Sequence, residues 1–478
     1  MNREKKVRVR FAPSPTGHLH IGGLRTALFN YLFAKHHNGS FLIRIEDTDV
    51  QRDRQEYTDA ILAAFAWCNL LPDEDIVIQS TRLNVHIALA EKLIAEKKAY
   101  RCYCLPDEFA ARCAQQKVGE DLFIMYDGFC RDKEHQREGK PYVVRFARPL
   151  DQKEVTFHDL IRGQFTFDMN QLDDFIFLRS DGQPMYNFVV VADDNYMGIT
   201  HVIRGEDHIS NTPKQILLYN ACGFEVPQFA HIPMILGPSG NRLSKRDGAT
   251  SVLDFQKAGY LPDAFLNYLV RLGWAHGDQE IFTREELIQY FSLEQVGKKG
   301  SIFDPEKLNW INSVYMEALS DDRLYQYIQQ YIRPDIEHLL SGWNFHMIYT
   351  AISLYKSRVS TLSQLVAHVL MLHDGPKSEY NQEDVEKFIS PMTADHLRAT
   401  VGILSSLESY DKDIISQKIN LYTKQQGIKF VAIGQPLRIA LLGCASGPGV
   451  FDMLALLGKR AVERIENFIE YAERSARI

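Results

Sequence analysis

The chain has 478 residues, 45% of them hydrophobic and 24% charged, with a formal net charge of -7 at pH 7. Those values fit a soluble globular protein of about three domains at roughly 150 residues each, and they exclude a bulk electrostatic nucleic-acid binder without excluding local basic patches. No apolar run approaches the ~20 residues of a membrane span, and the basic start MNREKKVRVRF leads into APSPTG instead of a signal core. Seven cysteines, an odd number, fit reduced thiols better than a disulfide framework, so the reading is a cytoplasmic protein.

Residues 7–12 alternate and predict a strand. PSPTG ends it, because prolines interrupt both helix and sheet ladders. From about Ile21 the residues Leu24, Leu28, Tyr31 and Leu32 recur at helical spacing, and Gly39 marks a turn. FLIRIED predicts a second strand. Strand, loop, helix and strand make a βαβ unit, which implies an α/β fold with a parallel sheet. Residues 54–70 and 82–98 predict helices. Between about 100 and 190 the texture changes to short alternating strands, including FIFLRSDGQPMYNFVVVADD, and predicts a β-rich insertion. ITHVIRGEDH and a helix from about Thr212 resume the α/β pattern, as does FAHIPMILGPSGNRLSKRDGA. Beyond about 250 the chain predicts almost only helix. Its charges balance after residue 325, with no polybasic tail.

The loop before the first helix is a ready anion site, since the first N–H groups of a helix are unpaired and its dipole is positive there. Gly17, Gly22 and Gly23 permit close approach of a ligand, His18 and His20 can donate to phosphate oxygens, and Ser14 and Thr16 add hydroxyls. By itself the stretch reads equally well as a rigid turn with exposed histidines. A second segment, RLSKRDGA at residues 242–249, is a basic Gly-flanked loop. Lys245 and Arg246 there can close over a polyphosphate; alone it reads as a solvated charge run. The pairing of the two segments is far more specific than either.

PSPTGHLHIGG resembles the HIGH signature of the class I aminoacyl-tRNA synthetases, and RLSKR resembles their KMSKS loop. The glutamyl-tRNA synthetases match best, through RFAPSPTG, RIEDTD (44–49), VIRGEDHISNTPKQ (202–215), LPDAFLNYLVRLGW (261–274), PLRIAL (436–441) and GPGVFDMLALLGK (447–459). Gly23 stands where the superfamily signature ends in His, and Arg242 where the loop usually begins with Lys. The resemblance covers the whole chain. It implies a Rossmann-like catalytic domain in two halves (1–99 and 191–248) and a connective insertion (100–190) for the acceptor end. A helical stem-contact domain (249–324) and an all-helical anticodon-binding region (325–478) follow.

The implied reaction has two steps. The α-carboxylate of L-glutamate attacks the α-phosphate of ATP, taken with Mg2+, and a terminal ribose hydroxyl of tRNA-Glu then accepts the glutamyl group. Substrates supply the nucleophiles, so the protein positions and stabilises charge. By resemblance Arg10 and Arg204 hold the carboxylates of glutamate, Glu46 its ammonium, Ala12 and Ser14 assist, and Tyr186 lines the pocket. His20, Gly22, Gly23, Asp207, Leu236 and Lys245 serve ATP, with His20 and Lys245 catalytic; His208 shapes the same pocket, and His18 has no catalytic role. Arg358 and Arg438 are the anticodon candidates. Cys102, Cys104 and Cys130 resemble a zinc knuckle whose fourth ligand falls at Asp132, with His135 the alternative. A monomer is expected. Glutaminyl-tRNA synthetase shares the core but has a β-barrel C-terminal region, and a non-catalytic RNA-binding paralogue is the alternative of another class. The intact set His20, Arg10, Arg204 and Lys245 opposes decay.

Overall fold

The computed structural model describes residues 6–48, 53–114, 125–133, 140–243, 251–377 and 379–474. The predicted βαβ start is present: β1 (Arg8–Phe11), α1 (Ile21–His36) and β2 (Ser40–Ile45), with β1 and β2 parallel. Helix α1 differs from a one-sided surface helix. Ile21, Leu24, Arg25, Ala27, Leu28, Phe29, Asn30, Leu32, Phe33 and Ala34 are all buried, while Tyr31 is half-buried. A helix buried on most sides needs cover on more than one face, and α1 packs against β1, β2 and the later strand His201–Gly205 as well as against the helix Arg284–Tyr290. The turn after it rests on Asn38 at φ 52°, and Gly39 is required for another reason: a Cβ there collides with the Val7 carbonyl.

Helix α2 (Gln55–Cys68), strand β3 (Val77–Ile78) and helix α3 (Leu83–Ala95) follow, and β3 extends the first sheet parallel to β2. The chain then forms β4 (Ala99–Cys102), α4 (Pro106–Ala114), β5 (Val143–Phe146), β6 (Glu154–Asp159), β7 (Gly163–Asp168) and β8 (Ile176–Leu178). Strands β4, β5 and β8 make an antiparallel sheet, and β6 and β7 a hairpin.

The predicted strand texture fails at its end. YNFVVVADDNY is helix α5 (Tyr186–Tyr196). Three consecutive valines favour a strand locally, but residues 188–194 are all buried, and tertiary packing around a helix overrides that preference. Strand β9 (His201–Gly205), helix α6 (Thr212–Cys222), strand β10 (Gln228–Ile232) and strand β11 (Ile235–Leu236) restore the α/β pattern. The insertion is not a separate layer. Strand β6 pairs parallel with β10, which pairs parallel with β9, giving the order β7-β6-β10-β9. The loop 237–241 returns the chain so that Leu243 N–H donates to the Ile235 carbonyl, which brings Arg242 back beside Leu236.

Beyond residue 251 the described chain is helical apart from β12 (Ser301–Ile302), parallel to β11. Contacts gather into two units, one of residues 1–254 with 265–305 and one of residues 255–264 with 306–478. The second unit, among the described residues, contains helices and turns but no strand. No described helix is long and apolar enough to cross a membrane.

Candidate active site

A cavity of about 510 Å³ opens in the first unit, where the ends of β1, β9 and β10 meet the start of α1. Its walls bring together residues from six distant stretches, among them Arg10, Ala12, His20, Glu46, Tyr186, Arg204 and Arg242. Gly22, Gly23, Asp207 and His208 also line it. Three expected residues do not: Ser14 is exposed on the turn, Leu236 lies outside the wall though its neighbour Ile235 is in it, and Lys245 lies outside the described residues. His18 is exposed and sets its ring edge against Tyr57.

His20 caps α1. Its Nδ1 accepts from the Gly22 N–H at 3.1 Å, so the neutral ring carries its proton on Nε2 as a donor. Burial, and then the charge of Arg242, lower its pKa, which keeps the ring neutral at pH 7. A neutral donor, the first turn of a 16-residue helix and the Arg242 guanidinium thus share one wall, a combination that suits an anion.

Arg10 and Glu46, elsewhere on the wall, are backed by a buried charge cluster. Asp194, on α5, accepts from Arg10 Nε at 3.0 Å and from Arg44 Nη1 at 2.6 Å. Arg44 in turn holds Glu46 Oε1 through Nη2 at 3.0 Å. Asp194 thus uses only the Nε side of Arg10 and leaves its terminal fork to the cavity. Burial raises the Asp194 pKa, but Arg10 and Arg44 outweigh it and the carboxyl is held below the usual range. For Glu46 the balance reverses: burial outweighs Arg44 and Arg10, and its pKa is raised.

Arg204 is 5% exposed, and it donates to four uncharged acceptors: His231 Nε2, Gln215 Oε1, Thr212 Oγ1 and the His208 carbonyl. Burial lowers its pKa. A guanidinium so placed on a cavity wall favours an incoming carboxylate. His208, pushed down to about 4 by burial and by Arg204, is neutral and lies 3.3 Å from the Tyr186 hydroxyl. The cavity therefore offers two guanidiniums and a carboxylate at one end, and a neutral donor, a helix N-terminus and a third guanidinium at the other. That pattern suits an amino acid with two carboxylates beside a polyphosphate.

The family model described as tRNA synthetases class I (E and Q), catalytic domain, matches residues 6–310, and an anticodon binding domain matches residues 323–469. The chain belongs to the class I tRNA synthetases of the E and Q group. It is 46% identical over 467 residues to the glutamate–tRNA ligase of Thermodesulfovibrio yellowstonii, covering 97% of this chain and 99% of that one. It is 45% identical to glutamate–tRNA ligase 1 of Syntrophus aciditrophicus, covering 98% of each. A crystal structure of a glutamate tRNA ligase from Elizabethkingia meningosepticum, in complex with its amino acid, superposes with a TM-score of 0.87 at 33% identity, covering 98% of this chain and 99% of that one.

In this synthetase chain the thiols of Cys102, Cys104 and Cys130 lie within 4.8 Å of one another. Cys104 and Cys130 are 3.4 Å apart, and the Tyr126 hydroxyl lies 3.4 Å from Cys102 and 3.6 Å from Cys104. Three thiols gathered this closely have the chemistry of a zinc site, whose metal–sulfur bonds of ~2.3 Å need sulfurs about 3.8 Å apart. Asp132 does not join the group, and His135 lies outside the described residues. Burial pushes the Cys104 thiol up to about 11, a cost that a bound cation removes. Cys102, Cys104 and Cys130 are free thiols.

Arg358 ends a short turn and is exposed. Arg438 donates to the Pro448 carbonyl at 3.2 Å, and its pKa is lowered by burial and then by the charge of Arg358, which places the two guanidiniums near each other. Sequence reasoning missed Asp194, His231, Asp159 and Arg25. Arg25, on α1, donates to the Leu272 and Pro233 carbonyls and lines the cavity. Only the unusual charge inside an apolar helix pointed to it.

Proposed function

We propose that the chain joins L-glutamate to tRNA-Glu by way of a glutamyl-adenylate, with Arg10 and Arg204 on the carboxylates of glutamate and Glu46 on its ammonium. His20 Nε2–H, the start of α1 and Lys245 meet the phosphates of ATP, with Ala12, Tyr186 and Asp207 completing the walls and Ser14 and Leu236 at the margin. Magnesium neutralises part of the phosphate charge. The observation that carries the reading is Arg204, a buried cation on the cavity wall with only neutral partners. Charge neutralisation and alignment are the whole task, because the attacking carboxylate and ribose hydroxyl belong to the substrates.

A helical second unit supports the glutamate branch of the group over the glutamine branch. Within it Arg358 and Arg438 contact anticodon bases, which splay out and stack or accept hydrogen bonds from guanidinium groups. Zinc on the three thiolates ties β4 to the segment around Cys130 and needs one further donor; Tyr126 Oη, not Asp132, is the oxygen nearest the sulfurs. The enzyme acts in the cytoplasm as a monomer. The five-part division at residues 99, 190, 248 and 324 assigns acceptor, stem and anticodon contacts. ATP–pyrophosphate exchange tests the activity, with glutamate or glutamine and with tRNA-Glu present. Glutamate-dependent exchange is expected; none with any glutamate tRNA refutes it, and a chain that only binds RNA gives that result.

A further inference from the structure

Arg204 poses a problem of charge. A buried guanidinium needs a counter-charge, yet its direct acceptors are neutral. The nearest one reached through its bonds lies one ring away. Arg204 Nε donates to His231 Nε2 at 3.1 Å, and His231 Nδ1 faces Asp159 Oδ2 at 2.6 Å. His231 and Asp159 are both fully buried. An arginine N–H only donates, so His231 Nε2 accepts and the proton sits on Nδ1, donated to Asp159. The second Asp159 oxygen accepts from the Ile161 and Arg162 N–H groups at 3.0 and 2.8 Å. The carboxylate is fixed on both sides.

Sheet register builds this line. His231 on β10 pairs with Arg204 on β9, and Asp159 on β6 pairs with Phe229, two residues before His231 on the same face. A slip of one residue sends one partner to the other face. Arg162, in the hairpin turn and three residues after Asp159, also donates from Nε to the His231 carbonyl at 3.1 Å. The anchor therefore comes from the 100–190 insertion and the arginine from the catalytic sheet.

A carboxylate placed directly on Arg204 would occupy the fork that a substrate carboxylate needs. Placed behind an imidazole it still acts through a medium of low polarity, and it takes only Nε. We propose that Asp159 and His231 form a positioning relay that balances and aims Arg204 while its terminal nitrogens carry only neutral acceptors, Gln215, Thr212 and the His208 carbonyl, which a glutamate carboxylate can join or displace. This rests on the reading that Arg204 binds a carboxylate of glutamate.

The test is steady-state charging of tRNA-Glu by the full chain, with KM measured for glutamate and for ATP. Asp159→Asn keeps the size and an acceptor oxygen but removes the charge. His231→Gln keeps an oxygen near the Nε2 position and breaks the link to Asp159. Each is expected to raise the glutamate KM at least ten-fold with the ATP KM within two-fold. The double variant is expected to be no worse than the worse single, because the two links act in series. If Asp159→Asn does not fold, His231→Gln decides by the same split. Glutamate and ATP KM moving together, or single effects that multiply in the double variant, mark plain packing and overturn the relay. So do unchanged KM values beside an impaired Arg204→Lys. An Arg204→Lys enzyme with the parent's glutamate KM overturns the carboxylate role itself, and the relay with it.

Discussion

Asp194→Asn is the sharpest probe of how this cavity is supported. In the parent, one buried carboxylate oxygen receives both Arg10 and Arg44, and Arg44 in turn holds Glu46. The four charges balance. The asparagine keeps the shape and one oxygen but leaves a net buried positive charge beside Arg44, which is fully buried. Removing one partner of such a pair costs about 3–5 kcal/mol. The first unit has roughly 300 residues, so its unfolding entropy of ~2.1 cal/mol/K per residue converts that loss into a fall of ~5–8 °C in melting temperature. The assay is differential scanning calorimetry of the full chain, following the transition of that unit. Removing Arg44 as well, as Asp194→Asn with Arg44→Met, restores charge balance and is expected to cost less than the two single changes added together. The pH dependence has a definite sign. The Asp194 pKa is held low in the folded chain, so its contribution is present above about pH 4 and fades as pH falls through the folded value. The variant lacks that acid limb. A melting temperature within about 1 °C of the parent, with an unchanged acid limb, would refute the claim that the cluster holds the wall.

Three further outcomes follow from the same geometry. Burial raises the Glu46 pKa, and the group must be ionised to meet an ammonium, so the glutamate KM is expected to climb as pH falls toward the folded Glu46 pKa, above the usual carboxylate range, while Glu46→Gln is uniformly weak; a Glu46→Gln enzyme with the parent's KM and pH profile removes the role. His20→Asn keeps a side-chain oxygen for the Gly22 N–H and should leave the melting temperature nearly unchanged, yet lower the rate of adenylate formation by about 10²–10³ for the lost phosphate donor; an Asn variant with the parent's rate beside an impaired Ala variant marks His20 as a cap alone. Protein purified without added zinc is expected to carry about one zinc per chain, lost in Cys130→Ser. Elemental analysis showing substoichiometric metal in the parent rejects the knuckle.

Much of this protein is legible in its residues. Proline and glycine punctuation, then helical spacing from Ile21, fixed the βαβ start, since those constraints act within a few residues. The family pattern picked out Arg10, Glu46, Tyr186 and Arg204 from separate stretches, and the fold brings all four to one cavity. Local preference misjudged YNFVVVADD, whose helix depends on burial from all sides and not on its valines. Only the tertiary structure could place Asp194 behind Arg10 and Arg44, or set β6 of the insertion against β10 so that Asp159 reaches His231. Those partners lie 27 to 184 residues apart for the pairs Arg204–His231 and Arg10–Asp194, and no local rule couples charges over such separations. The sequence names the groups on the cavity wall because their chemistry is particular to each residue. The groups that aim them are ordinary aspartates and a histidine until sheet register brings them into line.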